Sequence, residues 1–335
     1  MLNYAIRRLL IAIPTLLLIS LVIFSLLKIA PGDPLSQLPP TIPPEVRAKM
    51  RAALGVDKPL IVQYFLWLKL FFVIEPLHGF DVLFGTHFSD GMQRIISWQS
   101  RGSVFSVIAE RLPQTLLVVG LAYIVGVLVA LPIGIVSAYK QYSAFDQIGT
   151  FLSMLGLAVP PFFSGVLAIL IFAVYFDWFP TIYNTNLVIN SWSSFIEQLR
   201  QMAMPVMVLA VQTTASISRY LRSSMLDNLN QDYVRTARAK GMGEAAVVFI
   251  HVLRNSMIPV VTVVALGLPS IFGGAIVTEQ IFKVNGIGQL LITAIYANDV
   301  PMVQTLAFIF AALIVVFNLI ADLLYGLLDP RIRYD

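Results

Sequence analysis

The sequence predicts an all-α, polytopic membrane protein with six transmembrane helices. Hydrophobic residues make up 58% of the 335-residue chain and charged residues only 12%, about half the charged share of a typical soluble domain. This composition argues against a soluble enzyme and against a nucleic-acid-binding protein. A helix needs about 20 apolar residues to cross a bilayer. Six uncharged runs are long enough, the fourth only just: 9–27, 112–139, 147–176, 201–218, 255–278 and 300–321.

The first run is interpreted as an uncleaved anchor. Arg7 and Arg8 precede it as in a signal peptide, but its apolar core is longer than a usual signal core. Orientation follows from Lys and Arg, which are enriched in short cytoplasmic loops. With the N-terminus inside, the inner segments carry eleven Lys or Arg, six of them in 219–254, whereas the two short outer loops carry Arg200 and Lys283. Both termini are therefore predicted to be cytoplasmic.

The segment 31–111 is predicted to be external and ordered. It opens with Pro-Gly-Asp-Pro at 31–34, a sequence typical of a turn. Residues 61–74 are apolar and aromatic but too short to span, which favours a helix packed on the bundle or lying at the interface. Six side chains are expected to anchor that helix: Tyr64, Phe65, Trp67, Leu68, Phe71 and Phe72. Residues 78–103 are predicted to form a loop, and 1–111 is the first predicted domain.

The second predicted domain, 112–335, holds the other five spans and a long cytoplasmic loop at 219–257, between the fourth span and the fifth. Apolar residues recur at helical spacing as far as Ala237, and Gly241 and Gly243 then interrupt the pattern before a second helix. Basic residues beside a membrane can simply set topology and contact anionic lipid. That interpretation accounts for the charges but not for a structured loop of this length, which favours a docking element for a soluble partner.

The sequence DYVRTARAKG at 232–241, followed by His-x-Leu-Arg-Asn at 251–255, resembles the cytoplasmic loop of binding-protein-dependent ABC importer permeases of the dipeptide and oligopeptide branch. The loop of that family has the pattern Glu-Ala-Ala, three residues, Gly. The matching positions here are Arg235, Thr236, Ala237 and Gly241. Further matches follow in the family's order along nearly the whole chain, at 31–34, 54–59, 63–64, 111–116, 278–282, 286–288, 299–304 and 329–333.

The resemblance implies a permease subunit that has no active site of its own. Such a subunit forms half of a translocation pathway in the bilayer with a second homologous permease, two cytoplasmic ATPase subunits bind to the pair, and an external binding protein delivers substrate. ATP and Mg²⁺ are expected on the ATPase partners and no cofactor on this chain, which lacks a Gly-x-x-x-x-Gly-Lys-Ser/Thr phosphate loop. Di- or oligopeptides are the expected substrates, with nickel, glutathione and oligosaccharides left open. The expected location is the cytoplasmic membrane of a bacterium or archaeon.

Two groups of residues are candidate functional sites. The resemblance implies an ATPase-coupling loop that contains Tyr233, Arg235, Thr236, Ala237, Arg238, Lys240, Gly241 and Met242. Small and polar residues within apolar spans are candidates for the pathway, with helix packing as the alternative for each: Ser153, Gly156, Ser164, Gln212, Thr213, Ser216, Gly267, Ser270 and Gly273. A proton-coupled secondary transporter, the distant alternative, would need several buried acids. Here Asp322, with Asn318 as its expected partner, is the one acid placed near the centre or end of a span.

Overall fold

The computed structural model describes residues 2–29, 43–45 and 57–328, without the side chains of 2–5, 270–275 and 325–328. The predicted turn at 31–34 and the motif at 329–333 lie outside the described residues. The described part is helical and contains no strand, although Ile96 and Ser103 form an isolated bridge. We number its longer helices α1 (Leu2–Ile29), α2 (Leu60–Phe84), α3 (Val104–Tyr139), α4 (Ala144–Ala158), α5 (Pro161–Tyr175), α6 (Trp192–Leu229), α7 (Asp232–Ala239), α8 (from Glu244 to Phe282), α9 (Ile287–Tyr296) and α10 (Val300–Leu328).

The all-α, polytopic fold is confirmed, although the helices suited to a membrane differ in part from those predicted. By length and composition, five helices of the described part could cross a bilayer, or six if the bent pair α4 and α5 is one span. The five are Ile6–Ile29, Leu60–Phe84, Val104–Tyr139, Glu244–Pro269 and Val300–Leu324. Helix α2 is therefore an additional candidate, and the predicted fourth span, 201–218, is not among the candidates.

The predicted span 201–218 lies inside α6, a helix of 38 residues. A capping box between Ser191 and Ser194 begins this helix, because their side chains satisfy backbone amides that have no partner in the first turn. Helix α6 packs against α4, α5 and α8, and its polar residues Gln198, Gln201 and Ser218 are buried. Polar groups that face neighbouring helices rather than lipid are tolerated inside a bundle, so this helix is less apolar than a lipid-facing span.

The predicted span 147–176 is not one straight helix. Helices α4 and α5 meet at an angle of 104°. Val159 is extended at the end of α4, and Pro160 and Pro161 follow it. A residue before proline is disfavoured in the helical region, and proline cannot donate the hydrogen bond that would continue the helix. The two prolines therefore separate the run into two helices.

Two compact units divide the chain, and each is assembled from separate segments. The first comprises Met1–Ile11, Pro113–Gln289 and Leu313–Asp335, and the second comprises Ala12–Leu112 and Leu290–Ala312. The proposed division into 1–111 and 112–335 stays a prediction. Within the first unit, one apolar core joins α3, α5 and α6 around Val118, Ala168 and Met204. A second core lies where the end of α6 meets α7 and the start of α8.

In the second unit, the apolar segment after residue 57 forms α2, and this helix is longer than predicted. It spans 25 residues, so the expectation that the segment is too short to cross a membrane is wrong on length. Tyr64 and Trp67 are buried as expected, and the Trp67 ring meets Phe308 edge-on at 5.4 Å. Phe65 and Phe72 are exposed, although the Phe72 ring still meets Phe308 at 5.6 Å.

The loop at 85–103 is held in place by buried acids of the same unit. The Glu75 carboxylate accepts hydrogen bonds from the Arg94 guanidinium at 2.6 Å and from the Ile95 amide at 3.0 Å. The Asp299 carboxylate accepts one from the Ser97 hydroxyl and one from the Trp98 amide. These contacts satisfy the buried charges, and they make 85–103 an ordered loop.

Asp322 has a different partner from the one predicted. Its carboxylate lies 3.0 Å from the Arg8 guanidinium, whereas Asn318 is exposed. The prediction that Asp322 pairs with Asn318 is therefore wrong about the partner. The structure instead joins α10 to the beginning of α1.

Candidate functional site

Helix α7 lies between the end of α6 and the start of α8, with a buried face and an exposed face. Val234 is 0% exposed and Ala237 5% exposed, and these two residues are three apart, on one side of the helix. They pack with Leu221, Met225 and Val247 in the core below. Helix α7 is therefore attached to both α6 and α8 by apolar contacts.

The turn after α7 depends on Gly241. Its φ angle is +76°, in the left-handed region where side chains other than glycine are strained. The Gly241 amide donates to the Arg238 carbonyl at 2.9 Å, and the Met242 amide donates to the Ala237 carbonyl at 3.3 Å. These bonds satisfy carbonyls at the end of α7. Gly243, with an ordinary φ of −62°, then caps the start of α8.

An ion pair closes this turn from outside. The Arg238 guanidinium donates to both carboxylate oxygens of Glu244, at 2.8 and 3.2 Å. The hydrogen bonds to Glu244 raise the pKa of Arg238, so the guanidinium stays charged throughout the physiological range. A second pair, Arg235 with Asp232 at 3.4 Å, is fully accessible on the outer face. Exposed pairs of this kind add little stability, but they fix the positions of side chains on the surface.

The predicted coupling residues are divided between the two faces. Arg235, Thr236, Arg238, Lys240 and Gly241 are exposed, whereas Tyr233 and Met242 are half-buried. Ala237 is buried against its own chain, so its side chain is not on the exposed face of α7. Its size serves the packing of α7 instead. Glu244 was not predicted from the sequence as a partner of Arg238. An acid three residues after Gly241 could have indicated an ion pair across the turn.

A polar cavity of about 220 Å³ lies in the same unit, between α3, α6 and α8. It brings together four of the pathway candidates: Gln212, Thr213, Ser216 and Gly267. Tyr123, which the sequence did not single out, also lines it, and its hydroxyl donates to the Val264 carbonyl. The cavity is uncharged and its walls are mixed, so it can hydrate or pass a polar solute without binding an ion tightly.

The other pathway candidates do not line this cavity. Ser153 hydrogen-bonds Ser218 at 3.3 Å. Gly156 gives space to Val211, which lies 2.9 Å from the position of an added Cβ. The Ser164 hydroxyl donates to the Pro161 carbonyl of its own helix at 3.2 Å. Ser153 and Gly156 therefore contact α6, whereas Ser164 bonds within its own helix. The surroundings of Ser270 and Gly273 lie outside the described part of the chain.

The fold and this site define a multi-pass membrane protein in which a helix–glycine–helix surface adjoins a polar cavity. Residues 130–334 match the family described as binding-protein-dependent transport system inner membrane component. Residues 1–119 match the N-terminal region of the same kind of membrane component. The chain belongs to this family, and it is therefore a multi-pass protein of the inner membrane.

Relatives match over almost their whole length. The oligopeptide transport system permease protein AppB of Bacillus subtilis (strain 168) is 40% identical over 333 residues, which cover 99% of each chain. The dipeptide transport system permease protein DppB of Escherichia coli (strain K12) is 35% identical over 355 residues, covering 100% of this chain and 99% of the relative. Among solved structures, an amino acid ABC transporter crystallised with histidines matches 68% of this chain and 95% of its own, with a TM-score of 0.47 and 16% identity.

Proposed function

We propose that this chain is the permease subunit of an ATP-driven importer of di- or oligopeptides and forms half of the translocation pathway. The proposal depends above all on one arrangement: the exposed surface of α7 is attached to α6 and α8, the helices that line the polar cavity. The names of the relatives support peptides as substrates. On this chain the transport role needs no catalytic residue and no cofactor, since ATP and Mg²⁺ would bind to separate ATPase subunits.

The partners follow from the same arrangement. Two cytoplasmic ATPase subunits would serve a pair of permeases, one of them docking on the exposed face of α7 in each chain. A second homologous permease would complete the pathway, and an external binding protein would deliver the peptide. Movement of α7 would reach the cavity directly, because α7 shares an apolar core with both helices. Gating would then be a switch between two packed arrangements rather than a continuous deformation.

A proton-coupled transporter is disfavoured by the state of the buried acids. The acids that are buried in the described part each accept hydrogen bonds: Glu75, Asp81, Asp146, Glu279 and Asp299. None of them lines the polar cavity. A proton-coupled pathway places acids where substrate and protons pass, whereas these acids hold helices and loops together.

Reconstitution tests the proposed function. The chain, its second permease and two ATPase subunits are placed in proteoliposomes with the binding protein, and uptake of a labelled tripeptide is measured with and without ATP. We expect uptake that requires ATP and all of the subunits. Uptake of nickel or an oligosaccharide in place of peptides would contradict the substrate class. Uptake driven by a proton gradient without ATP would contradict the mechanism.

We propose further that both termini are cytoplasmic and that α2 does not cross the bilayer. The chain has no cysteine, so single introduced cysteines can be labelled without background. Lys58 and Asp90 are exposed on either side of α2. Lys58→Cys and Asp90→Cys should both react with a membrane-impermeant maleimide added outside, and Ala239→Cys, beside the α7 surface, should not. Opposite accessibility of the first two positions would make α2 a span and would overturn this topology.

The size of residue 267 should control passage through the cavity. A Cβ at Gly267 would lie 2.8 Å from the Tyr123 hydroxyl, so alanine must displace that side chain and valine would fill more of the space. We expect Gly267→Val to slow peptide uptake more than Gly267→Ala does, with assembly retained. Gly120→Ala on α3 is the matched control, because an added Cβ there meets nothing within 4 Å. Equal uptake by all three variants would show that the size of residue 267 does not limit passage of the peptide.

A further inference from the structure

A second, larger cavity lies along α6 and shares one lining residue with the polar cavity. Its volume is about 610 Å³, and its polar lining comes from Thr150, Ser216, Arg219, Tyr220, Arg222 and Ser223. Ser216 lines both cavities. Both lie within the same compact unit, and Ser216 is the residue common to their linings.

The polar residues that connect the cavities form one stripe on α6. Gln212, Ser216, Arg219 and Ser223 are separated by four, three and four residues, the spacing that keeps side chains on one face of a helix. At a rise of 1.5 Å per residue, the stripe extends about 16 Å along the helix axis. Gln212 and Ser216 are half-buried, whereas Arg219 and Ser223 are exposed. The stripe therefore leads from a half-buried, uncharged part of α6 to an exposed part that contains arginine.

The two arginines of the larger cavity differ in their electrostatic state. Arg222 donates to both carboxylate oxygens of Asp146, at 2.6 and 2.8 Å, so a buried acid compensates its charge. Within the part of the chain that the structure describes, the side chain of Arg219 makes no ion pair and no hydrogen bond. The lining of the larger cavity contains neither Asp nor Glu. Arg219 is therefore an uncompensated cation, with the hydroxyls of Ser216 and Ser223 one turn away on either side.

We propose that Arg219 binds the carboxylate of a peptide as the peptide leaves the polar cavity. This inference rests on the proposed function. A guanidinium can donate two parallel hydrogen bonds to a carboxylate, and neighbouring hydroxyls can add further donors. Because the two cavities share Ser216, Arg219 lies next to the polar cavity, which favours a solute in transit over a lipid headgroup at the same arginine. Because Arg219 is exposed and the attraction is screened by water, the contact attracts and orients the peptide without retaining it.

The test uses the complete reconstituted transporter at peptide concentrations below saturation. Uptake of trialanine and of its C-terminal amide is measured for Arg219→Lys, Arg219→Gln and Arg219→Glu, each relative to the unaltered complex with the same peptide. The binding protein is identical throughout, so its own preference cancels. Arg254→Gln is the matched control, since Arg254 is exposed and does not line the larger cavity.

Arg219→Gln should lower uptake of the free peptide about two- to fivefold, the effect of losing one exposed charge pair. Uptake of the amide should be unchanged. Uptake of the free peptide should be highest in Arg219→Lys, lower in Arg219→Gln and lowest in Arg219→Glu. Equal losses for both peptides would overturn the inference and indicate a structural role. Unchanged uptake of the free peptide in every variant would also overturn the inference. Arg219 would then be a charge that only sets topology or contacts lipid. Absence of ATP-driven uptake by the unaltered complex would instead overturn the proposed function itself.

Discussion

Replacing Glu279 with alanine should strongly destabilise the protein. Glu279 is 1% exposed, and its carboxylate accepts hydrogen bonds from the Thr115 hydroxyl at 2.7 Å and the Gln289 amide at 2.9 Å. The Thr115 oxygen in turn accepts the Ile287 amide at 2.8 Å. Removing the carboxylate takes an acceptor from several buried donors, at about 1–3 kcal/mol each. We expect a markedly lower thermal unfolding midpoint for the purified protein, or loss of folded protein from the membrane.

Two further variants separate the hydrogen bonds from other effects. Glu279→Gln keeps the shape but places an amide where a second acceptor is needed, so its midpoint should fall between those of Glu279→Ala and the unaltered protein. Glu197→Ala removes an exposed carboxylate from α6 and should change the free energy of unfolding by less than about 0.5 kcal/mol. An unchanged midpoint in Glu279→Ala would show that this carboxylate does not hold the turn after α8.

Replacing Gly241 with valine should uncouple ATP hydrolysis from transport while the protein still inserts in the membrane. The φ angle of +76° is strongly disfavoured for a β-branched residue. Nothing lies within 4 Å of an added Cβ, so the cost is conformational, about 1–3 kcal/mol. We expect the turn to rearrange and the exposed face of α7 to move relative to α8. Substrate-stimulated ATPase activity should then fall about tenfold or more, since each 1.4 kcal/mol is a factor of ten.

Gly243 provides the control for this experiment. It lies two residues further on, also without a neighbour within 4 Å, but its φ of −62° suits any residue. Gly243→Val should therefore retain most of the coupling. Gly241→Asn should be milder than Gly241→Val, because asparagine tolerates the left-handed region better. Normal coupling in Gly241→Val would argue that the loop is only a topology signal. An equal loss in Gly243→Val would argue that the left-handed φ of Gly241 is not the cause of the effect.

The α7 surface was predictable from sequence in outline but not in its orientation. Glycines at 241 and 243 after a helical pattern predict a helix–turn–helix, and the structure contains one. Which residues face outward depends on the core beneath, where Val234 and Ala237 meet residues of α6 and α8. A short helix with basic residues on several sides does not indicate by itself which side is covered. The burial of Ala237 could for that reason not be predicted from the sequence.

The pathway candidates illustrate the same limit. Small and polar residues in apolar helices mark places where a helix meets something other than lipid, but packing, backbone hydrogen bonds and a cavity share that signature. Only the arrangement of α3, α6 and α8 distinguishes Gln212, which lines the cavity, from Ser164, which bonds to its own helix. Tyr123 carried no signal, because tyrosine is common in membrane helices whether or not it reaches a cavity.

The sequence by itself determined the class of protein, because the scarcity of charge and the long uncharged runs leave bilayer-spanning helices as the stable arrangement for most of the chain. It also determined the position of the helix–glycine–helix surface, since local backbone preferences act within a few residues. The break at Pro160 and Pro161 is local in the same way. Tertiary structure alone decided that α6 is covered by other helices and tolerates polar residues. It also decided that Asp322 pairs with Arg8. Such features depend on which distant segments meet, and hydropathy along the chain contains no information about that.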